Sequence, residues 1–425
     1  MQLNREITEA KNMDEDEIEN ETGHSVLILA GNNEIEHKVT VTEKKVEENK
    51  MQTQNSNETQ TKIYYGDNTQ VTPVGNLDYN DFSKETHIRQ QMPGFDSQYR
   101  DFVHYIMKIT HNIWEEKGIG IIYDTYHNNC IMHAGSINIV GIKEVISGTL
   151  QTLYGFPDRR LIGQNVIWSP LGKNGFLSSH RVMSTATNLN DSGFGKATGR
   201  KVSFRTTIDC AVEENRIYEE WLVRDNLWIA IQLGLDVESL AKKMAYTMLS
   251  KQNSDAQDNY GLPEAMQGQL KPEIYTAKDD SIGEFMLEMV SRINNYKYFN
   301  EVKKFYHDNA VVHFICNNDV VGHNEIQGMY ISLYASIPNA SFEVDRVTVN
   351  QRVQDDGFDV AIRYRIRGLN EGIGLFGQPS GKMLELLGIN HYHVVNNKIK
   401  EEWVTFDGLD VLRQKYMDRS ILSEA

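Results

Sequence analysis

Apolar side chains recur at helical spacing in two stretches of the chain. From Tyr99 to Gly118, one face of a helix would carry Phe102, Val103, Ile106, Met107, Ile113 and Trp114. From Ile282 onward, the matching face would carry Phe285, Met286, Met289, Val290 and Ile293. Each stretch therefore predicts a helix packed on a core, and each leads into a Tyr-His pair.

The sequence after each predicted helix repeats at a nearly constant offset. Three blocks match: YHNNCIMH at 126–133 with YHDNAVVH at 306–313, 141–157 with 322–338, and FGKATGRK at 194–201 with FGQPSGKM at 376–383. The offsets are 306 − 126 = 180, 322 − 141 = 181 and 376 − 194 = 182. An offset that drifts by so little indicates an internal duplication.

Each copy predicts an α+β domain. Polar and apolar residues alternate in five longer segments, namely 166–187, 201–225, 342–354, 358–368 and 389–407. This alternation is typical of strands with one face on a core, and the pairs Glu214-Asn215 and Asn396-Asn397 predict hairpin turns. Helices gathered on one face of a curved antiparallel sheet give the predicted architecture.

The pattern also predicts the domain boundaries. Residues 1–95 are acidic or polar and are expected to be a mostly disordered tail, with order beginning near Tyr99. Residues 96–236 form the first copy, 237–280 a helical segment and linker, and 281–418 the second copy. Two β-branched stretches around Gly31 predict a hairpin inside the tail, and Met51 is an alternative translational start.

Composition narrows the classes of partner. The 425 residues include 43 Lys and Arg against 59 Asp and Glu, a net charge of −16, which disfavours nucleic acid and anionic membranes as partners. The N-terminus is acidic, and no apolar run is long enough to span a membrane, so we expect a cytoplasmic protein. The three cysteines lie far apart, which predicts neither a disulfide framework nor a cysteine zinc site.

The order of motifs resembles the SnoaL-like polyketide cyclase and predicted ester cyclase family, which has the ketosteroid-isomerase-like, or cystatin-like, cone fold. The first copy carries GFPD at 155–158, ATGRKVSF at 197–204 and EEWLVRDNLWIAIQLG at 219–234. The second copy keeps the skeleton as QPSGKML at 378–384 and EEWVTFDGLDVLRQ at 401–414. The resemblance implies two tandem cone domains, each a curved antiparallel sheet packed on N-terminal helices.

The resemblance also implies an activity. Such cyclases work without metal or cofactor, by removing a proton next to a carbonyl in an apolar cavity and holding the enolate with nearby donors. The expected substrate is a small carbonyl or ester compound. The family's catalytic aspartate falls here at Leu222 and Val404, three residues before Asp225 and Asp407, so both copies lack it.

Several residues remain as candidates for the chemistry. The candidate acid and base groups are Asp225, His133, His180 and Glu220. The candidate substrate-binding residues are Tyr126, Trp168, Arg200, Trp221, His313, His391, Trp403 and Asp407. Strand alternation places Glu220 and Trp221 on opposite faces, so at most one of the two points inward.

Each candidate also has a structural interpretation. Asp225 could cap a helix beside a packed tryptophan, and His133 could be a hydrogen-bonded structural histidine. His180 has Ile362 at the equivalent position of the second copy, and this asymmetry favours one working cavity. His313, His391 and His393 would form a metal site only if they converged, so no metal is predicted. Gly372, Gly374 and Gly377 spell G-x-G-x-x-G, but they lie in a predicted strand-to-strand loop rather than a dinucleotide site.

Two other kinds of function stay open. A binding protein that holds a small molecule without turnover would explain the missing aspartate at Leu222 and Val404. An interaction module would pack its two copies sheet to sheet, as an internal replacement for the homodimer of single-domain relatives. Further homo-oligomerisation is compatible with either.

Overall fold

The computed structural model describes residues 61–85, 88–251 and 274–423. The hairpin predicted around Gly31, the alternative start at Met51 and the polar linker at 253–261 lie outside the described residues. In the described part of the chain, no helix is both long enough and apolar enough to cross a membrane.

The first half consists of short helices followed by long strands. Its strands are β1 (Ile63–Gly66), β2 (Tyr126–Ala134), β3 (Ile137–Val140), β4 (Arg160–Leu171), β5 (Gly175–Thr187), β6 (Lys201–Glu213) and β7 (Arg216–Arg224). Its helices are α1 (Tyr79–Phe82), α2 (Phe102–Trp114), α3 (Ile121–Thr125) and α4 (Ile142–Gly155), with a 3-10 turn at Asn68–Gln70.

The second half repeats this order after two connecting helices, α5 (Asn226–Gln232) and α6 (Val237–Lys251). Its helices are α7 (Ile282–Val290), α8 (Val302–Phe305), α9 (Gly322–Ser336) and α10 (Gly408–Lys415). Its strands are β8 (Tyr306–Phe314), β9 (Asn318–Val321), β10 (Ser341–Gln351), β11 (Phe358–Leu369), β12 (Met383–Val395) and β13 (Lys398–Phe406). Single turns of π- or 3-10 helix lie at Ser291–Asn295, Phe299–Glu301, Ile315–Asn317 and Arg419–Ser423.

The two sheets have the same strand order. The first sheet runs β3-β2-β7-β6-β5-β4, and the second runs β9-β8-β13-β12-β11-β10 with β1 added at its outer edge. Strands β2 and β7 pair in parallel, as do β8 and β13, while the remaining pairs within each six-stranded set are antiparallel. The two helices predicted from the apolar stripes are both present, as α2 and α7.

Capping and burial explain why these two helices form where they do. The Asp101 side chain accepts a hydrogen bond from the His104 backbone N–H at the start of α2, and the helix buries Phe102 and Tyr105 completely. The Ser281 side chain caps α7, which buries Met286 completely. Each helix therefore packs its apolar face into the core formed with its own sheet.

Both predicted hairpin turns are present. Glu214 and Asn215, between β6 and β7, have φ angles of 45° and 73°. Asn396 and Asn397, between β12 and β13, have φ angles of 51° and 52°. Left-handed conformations at both central residues match the twist of the flanking strands, and asparagine tolerates them better than most residues.

Strand β1 lies within residues 1–95, which the sequence pattern predicted to be a mostly disordered tail. Strand β1 pairs in parallel with β10, with Ile63 opposite Val347. The Asn350 side chain donates hydrogen bonds to the carbonyl oxygens of Gly66 and Trp168, at 3.1 and 2.8 Å, and so joins β1 to β4. A four-residue strand has no apolar period of its own, and its order comes from a sheet edge far away in sequence.

The two sheets pack against each other through their outer faces. A cluster of buried apolar residues joins them, comprising Leu177, Ala211, Trp221, Val223, Leu387 and Ile389. Two equivalent cation-π contacts flank it, with Arg181 at 3.7 Å from the Trp403 ring centre and Arg363 at 3.4 Å from the Trp221 ring centre. Since 363 − 181 and 403 − 221 both equal 182, these contacts are reciprocal, as in an interface between two like domains.

Candidate functional site

A cavity of about 60 Å³ lies in the first half, between α2, α4 and the first sheet. Most of its wall is aliphatic or aromatic. The polar side chains that matter for its chemistry are Tyr126, Arg159, His180, Thr206, Glu220 and Arg224. In the form described, the cavity has room for a few water molecules or a compact organic molecule.

Glu220 is the acidic group of this cavity. It lies on β7, is 5% exposed, and its Oε2 accepts a hydrogen bond from the Tyr126 hydroxyl at 2.7 Å. Among the described residues, none donates a hydrogen bond to its Oε1. Burial raises the pKa of Glu220 to about 7, against the opposing effect of the tyrosine hydrogen bond. A carboxyl group with this pKa can both accept and return a proton near neutral pH.

His180 contributes a neutral imidazole. It lies on β5 with its side chain on the cavity wall, and burial lowers the pKa of His180 to about 4. Its Nδ1 is buried and has no hydrogen-bond partner in the described part of the chain. The ring is therefore uncharged at neutral pH and available to a bound molecule.

Two arginines in the cavity wall were missed by the sequence analysis. Arg159 immediately precedes β4 and Arg224 ends β7, and both line the cavity. Arginine is so often exposed that neither was considered as a buried group. The alternation of side chains along β7 could have revealed Arg224, because it places Glu220, Leu222 and Arg224 on one face of the strand.

Leu222 lines the same cavity. The position at which the resembled family carries its catalytic aspartate thus faces the site, but here with an aliphatic side chain. The carboxyl group of the cavity comes instead from Glu220, two residues earlier on the same strand face.

The structure places Asp225 outside the cavity wall, contrary to the expectation for a catalytic group. Its side chain caps α5 by accepting a hydrogen bond from the Trp228 N–H at 3.1 Å, and it accepts a second from the Cys316 N–H at 2.6 Å. Asp407 is the counterpart at the start of α10, where it accepts hydrogen bonds from the Leu409 N–H and the Asn226 side chain. Both carboxyl groups are therefore helix caps that also connect the two halves.

His133 and Trp221 lie on the opposite face of the first sheet. The His133 ring stacks on Trp221 at 5.1 Å between ring centres, and it hydrogen-bonds with Asn138 and Glu219. The inward direction of Glu220 fixes the outward direction of Trp221, because neighbouring residues of a strand alternate. His133 follows Trp221 outward, since the two are paired across β2 and β7.

The remaining substrate-binding candidates also lie away from the first-half cavity. Trp168 packs against Phe102 and Phe176 in the core, and Arg200 is exposed beside the Gln232 carbonyl. In the second half, His313 stacks on Trp403 at 5.3 Å. The Nε2 of His391, paired with the Ser179 hydroxyl at 2.8 Å, lies at the contact between the sheets.

The three histidines considered for a metal do not converge. His313 pairs with Asp319 and Glu401, His391 with Ser179, and His393 approaches Asp355. Across residues 61–85, 88–251 and 274–423, no group of three or more His, Cys, Asp or Glu side chains is arranged to hold a metal ion.

The second half has the same carboxyl group in different surroundings. Glu402 Oε2 accepts a hydrogen bond from the Tyr306 hydroxyl at 2.6 Å, and Oε1 accepts one from the Asn390 amide at 2.8 Å. Burial raises the pKa of Glu402 to about 7, as it does for Glu220. Both oxygens of Glu402 are thus occupied by protein donors, unlike those of Glu220.

Larger side chains occupy the second half where the first half is open. Tyr330, Tyr364 and Tyr392 are all buried, and they stand at the positions of Thr149, Val182 and Cys210. The Tyr330 and Tyr306 hydroxyls are 2.8 Å apart, and the Tyr364 hydroxyl donates to the Asn390 side chain at 3.0 Å. Tyrosine rings and their hydrogen bonds therefore fill the region that corresponds to the first-half cavity.

Comparison with known families identifies the second half. The model of the SnoaL-like polyketide cyclase family matches residues 284–415, so this half contains a SnoaL-like polyketide cyclase domain. The match does not extend to the first half, although the first half carries the longer motifs. No curated protein is significantly similar to the chain in sequence.

Several solved structures match about a third of the chain. A protein described as a SnoaL-like polyketide cyclase from Jannaschia sp. CCS1 is 15% identical, with 34% of this chain and 96% of that protein covered and a TM-score of 0.28. A SnoaL-like polyketide cyclase from Agrobacterium tumefaciens str. C58 is 20% identical, with coverages of 32% and 98% and a TM-score of 0.26. AclR from Streptomyces galilaeus, described as a hydroxylase, is 16% identical, with coverages of 31% and 92% and a TM-score of 0.27.

Proposed function

We propose that the first half is a cofactor-independent acid/base enzyme of the SnoaL-like cyclase type, acting on a small carbonyl or ester compound. The observation that carries this proposal is the state of Glu220. It is buried on the wall of an apolar cavity, its pKa is raised to about 7, and one of its oxygens has no donor among the described residues. Such a carboxyl group is poised to move a proton at neutral pH.

The proposed mechanism uses three side chains. The Glu220 carboxylate removes a proton from the carbon next to the substrate carbonyl, while the Tyr126 hydroxyl holds its other oxygen in place. The neutral His180 ring donates a hydrogen bond to the oxygen on which negative charge develops. Protonated Glu220 then returns the proton to carbon, or to the oxygen formed when the enolate carbon attacks a second carbonyl in ring closure.

The test of this function is exchange of the proton next to a carbonyl. Nuclear magnetic resonance in D₂O would follow loss of that proton from a panel of small ketones and oxo acids. Glu220→Gln is expected to lower the exchange rate about 100-fold or more, the usual contribution of a general base. The control is Glu219→Gln, because Glu219 points to the other face and contacts His133. Exchange that survives unchanged in Glu220→Gln would contradict the proposal.

A non-catalytic binding protein is the second candidate function. The observation that favours it is Leu222, which faces the cavity at the position where the resembled family carries its catalytic aspartate. A small molecule recovered from the purified protein by mass spectrometry, bound tightly and chemically unchanged after prolonged incubation, would support this candidate over the enzyme.

We further infer that both halves are copies of one SnoaL-like domain and that they form an internal pair. The identical strand order and the reciprocal Arg181–Trp403 and Arg363–Trp221 contacts support this inference. The second copy would then act as the structural partner of the first, since protein donors already satisfy Glu402.

A further inference from the structure

We propose that the first-half cavity binds a small carboxylate, held between the guanidinium groups of Arg159 and Arg224. This inference rests on the proposed acid/base function of the same cavity and names the class of its substrate. The substrate would be a compact oxo acid, with a carboxylate at the arginine end and a carbonyl within reach of Glu220.

Both arginines have N–H groups without partners. Arg159 is 4% exposed, and its Nε and Nη2 both donate to the Ser184 hydroxyl, at 3.2 and 2.9 Å. Its Nη1 is buried and has no hydrogen-bond partner in the described part of the chain. The Nε of Arg224 is likewise a buried atom without a hydrogen-bond partner among the described residues. The bonds to Ser184 thus account for the position of Arg159 but not for its free donor.

Neither arginine is in direct contact with a carboxylate group of the described residues. Among the described residues, no Asp or Glu oxygen lies within 4.0 Å of either guanidinium. Burial lowers the pKa of Arg159, and the charge of Arg224 lowers it further, while the charge of Glu115 opposes both effects. The Glu115 oxygens accept hydrogen bonds from Arg160 and the Leu161 N–H rather than from Arg159. Trp114 and Phe204 lie at 4.3 and 5.3 Å from Arg159 and stabilise its charge through their ring faces, but they accept no N–H bond.

Carboxylates farther away do not replace a counter-ion in direct contact with the arginines. Burial lowers the pKa of Arg224, and Asp407 opposes that effect, but the Asp407 side chain accepts its hydrogen bonds from Asn226, Leu409 and Asp410. A buried cation, Arg159, beside a half-buried one, Arg224, is costly without a counter-ion in hydrogen-bond contact. An anion between them would accept the free N–H groups and balance the charge.

Two further unpartnered atoms lie on the same cavity wall. The Thr206 hydroxyl on β6 and His180 Nδ1 on β5 are both buried without a partner among the described residues. The four unpartnered groups, on Arg159, His180, Thr206 and Arg224, thus come from four separate places in the sheet. Their convergence on one cavity points to a polar ligand rather than to a defect of a single strand.

The second half lacks the whole set. At the positions equivalent to Arg159, His180, Thr206 and Arg224 stand Ala340, Ile362, Gly388 and Phe406. The fold therefore does not require these polar groups, since the second half forms the same sheet without them. Their presence belongs to the first-half cavity and not to the architecture.

Charge balance favours a carboxylate over a phosphate. The cavity contains two guanidinium groups and one carboxyl group that ionises, Glu220. A monoanionic ligand and ionised Glu220 together balance two positive charges. A phosphate dianion would leave an excess negative charge inside an apolar wall, and the cavity of about 60 Å³ suits a compact planar group.

Isothermal titration calorimetry on the full chain tests this proposal with defined probes. The probes are 3-methylbutanoate and benzoate, their neutral amides, and inorganic phosphate. Wild-type protein is expected to bind at least one carboxylate saturably, and about tenfold or more tightly than the matching amide, because charge-assisted hydrogen bonds are lost in the amide. Arg159→Met and Arg224→Met are each expected to weaken carboxylate binding about tenfold or more.

The matched control is Arg160→Met. Arg160 is the chain neighbour of Arg159, but its side chain is 74% exposed and pairs with Glu115, so carboxylate binding should stay within about twofold of wild type. Circular dichroism at the titration temperature establishes that each variant is folded. Absence of saturable carboxylate binding, equal binding of acid and amide, preference for phosphate, or an equal loss in Arg160→Met would each overturn the proposal.

The outcome is separable from that of the proposed function. Carboxylate binding that depends on Arg159 and Arg224, together with unchanged exchange in Glu220→Gln, would sustain the anion site and reject the acid/base role. Proton exchange on neutral ketones that depends on Glu220, without carboxylate binding, would sustain the acid/base role and reject the anion site.

Discussion

The carboxyl groups of Glu220 and Glu402 have the same partner tyrosine and different remaining neighbours. Tyr126 is the described donor to Glu220, whereas Glu402 receives hydrogen bonds from Tyr306 and Asn390. Burial raises the pKa of both groups to about 7. A raised pKa alone therefore does not mark a reactive group. The free oxygen and the adjoining space distinguish Glu220.

The raised pKa of Glu402 predicts how stability depends on pH. A carboxyl group near 4.5 in the unfolded chain and about 7 in the folded chain favours folding fully below its unfolded pKa, and that contribution is lost as the pH rises toward 7 and above. Glutamine does not ionise, so Glu402→Gln removes this fall in stability with rising pH. Relative to wild type, the variant should gain about 2 kcal/mol of unfolding free energy between pH 5 and pH 8.

Urea unfolding at the two pH values measures that difference. Comparison with wild type at each pH cancels the buried histidines, such as His180, whose lowered pKa destabilises the folded protein toward acid in both chains. Glu219→Gln, which changes a carboxylate on the outer face of the first sheet, serves as the control. A variant whose stability relative to wild type is the same at pH 5 and pH 8 would show that Glu402 ionises normally.

Residue types predicted part of the site. Strand alternation correctly separated Glu220 from Trp221, and the asymmetry of His180 pointed to the half that contains the cavity. Residue types could not separate a capping aspartate from a catalytic one, because Asp225 suits both roles. Nor could residue types reveal that Arg159 is buried and that Arg224 lines the same cavity, since the residues around them come from distant segments.

At the scale of elements, two helix starts also connect the halves. Asp225 caps α5 through Oδ1 and receives the Cys316 N–H on Oδ2, while Asp407 caps α10 and receives the Asn226 side chain. Each cap therefore contributes to the stability of a helix and of the contact between sheets at the same time.

Two substitutions separate these contributions at Asp225. Asparagine can still accept the Trp228 N–H with its one carbonyl oxygen but cannot also accept the Cys316 N–H. Asp225→Asn should therefore lose the connection alone, at about 1 kcal/mol, and Asp225→Ala should lose about 2 kcal/mol because the cap is lost as well. Urea unfolding gives both values, and proton exchange by the folded variants should stay near the wild-type rate. A large loss of exchange with little loss of stability would instead support a catalytic Asp225.

The long elements were predictable and the short ones were not. Apolar stripes predicted α2 and α7, and alternation with matching turn residues predicted the hairpins of both sheets. Strand β1 was missed because its four residues carry no period and depend on β10, whose edge lies at Val347 to Asn350. Local patterns cannot reveal an element whose partner is a distant sheet edge.

At the scale of the whole molecule, the two halves share an architecture and differ in their interiors. The first has a cavity with four unpartnered polar groups, and the second has a network of tyrosines around a satisfied carboxyl group. Through the reciprocal contacts between the sheets, each half stabilises the other. On this account, catalysis belongs to the first half and the second provides structure.

One paired measurement tests that division most directly. Proton exchange next to a carbonyl is measured for wild type, Glu220→Gln and Glu402→Gln, each verified as folded. The account predicts a rate about 100-fold or more below wild type for Glu220→Gln and a rate close to wild type for Glu402→Gln. Equal losses in both variants, or a loss confined to Glu402→Gln, would contradict it.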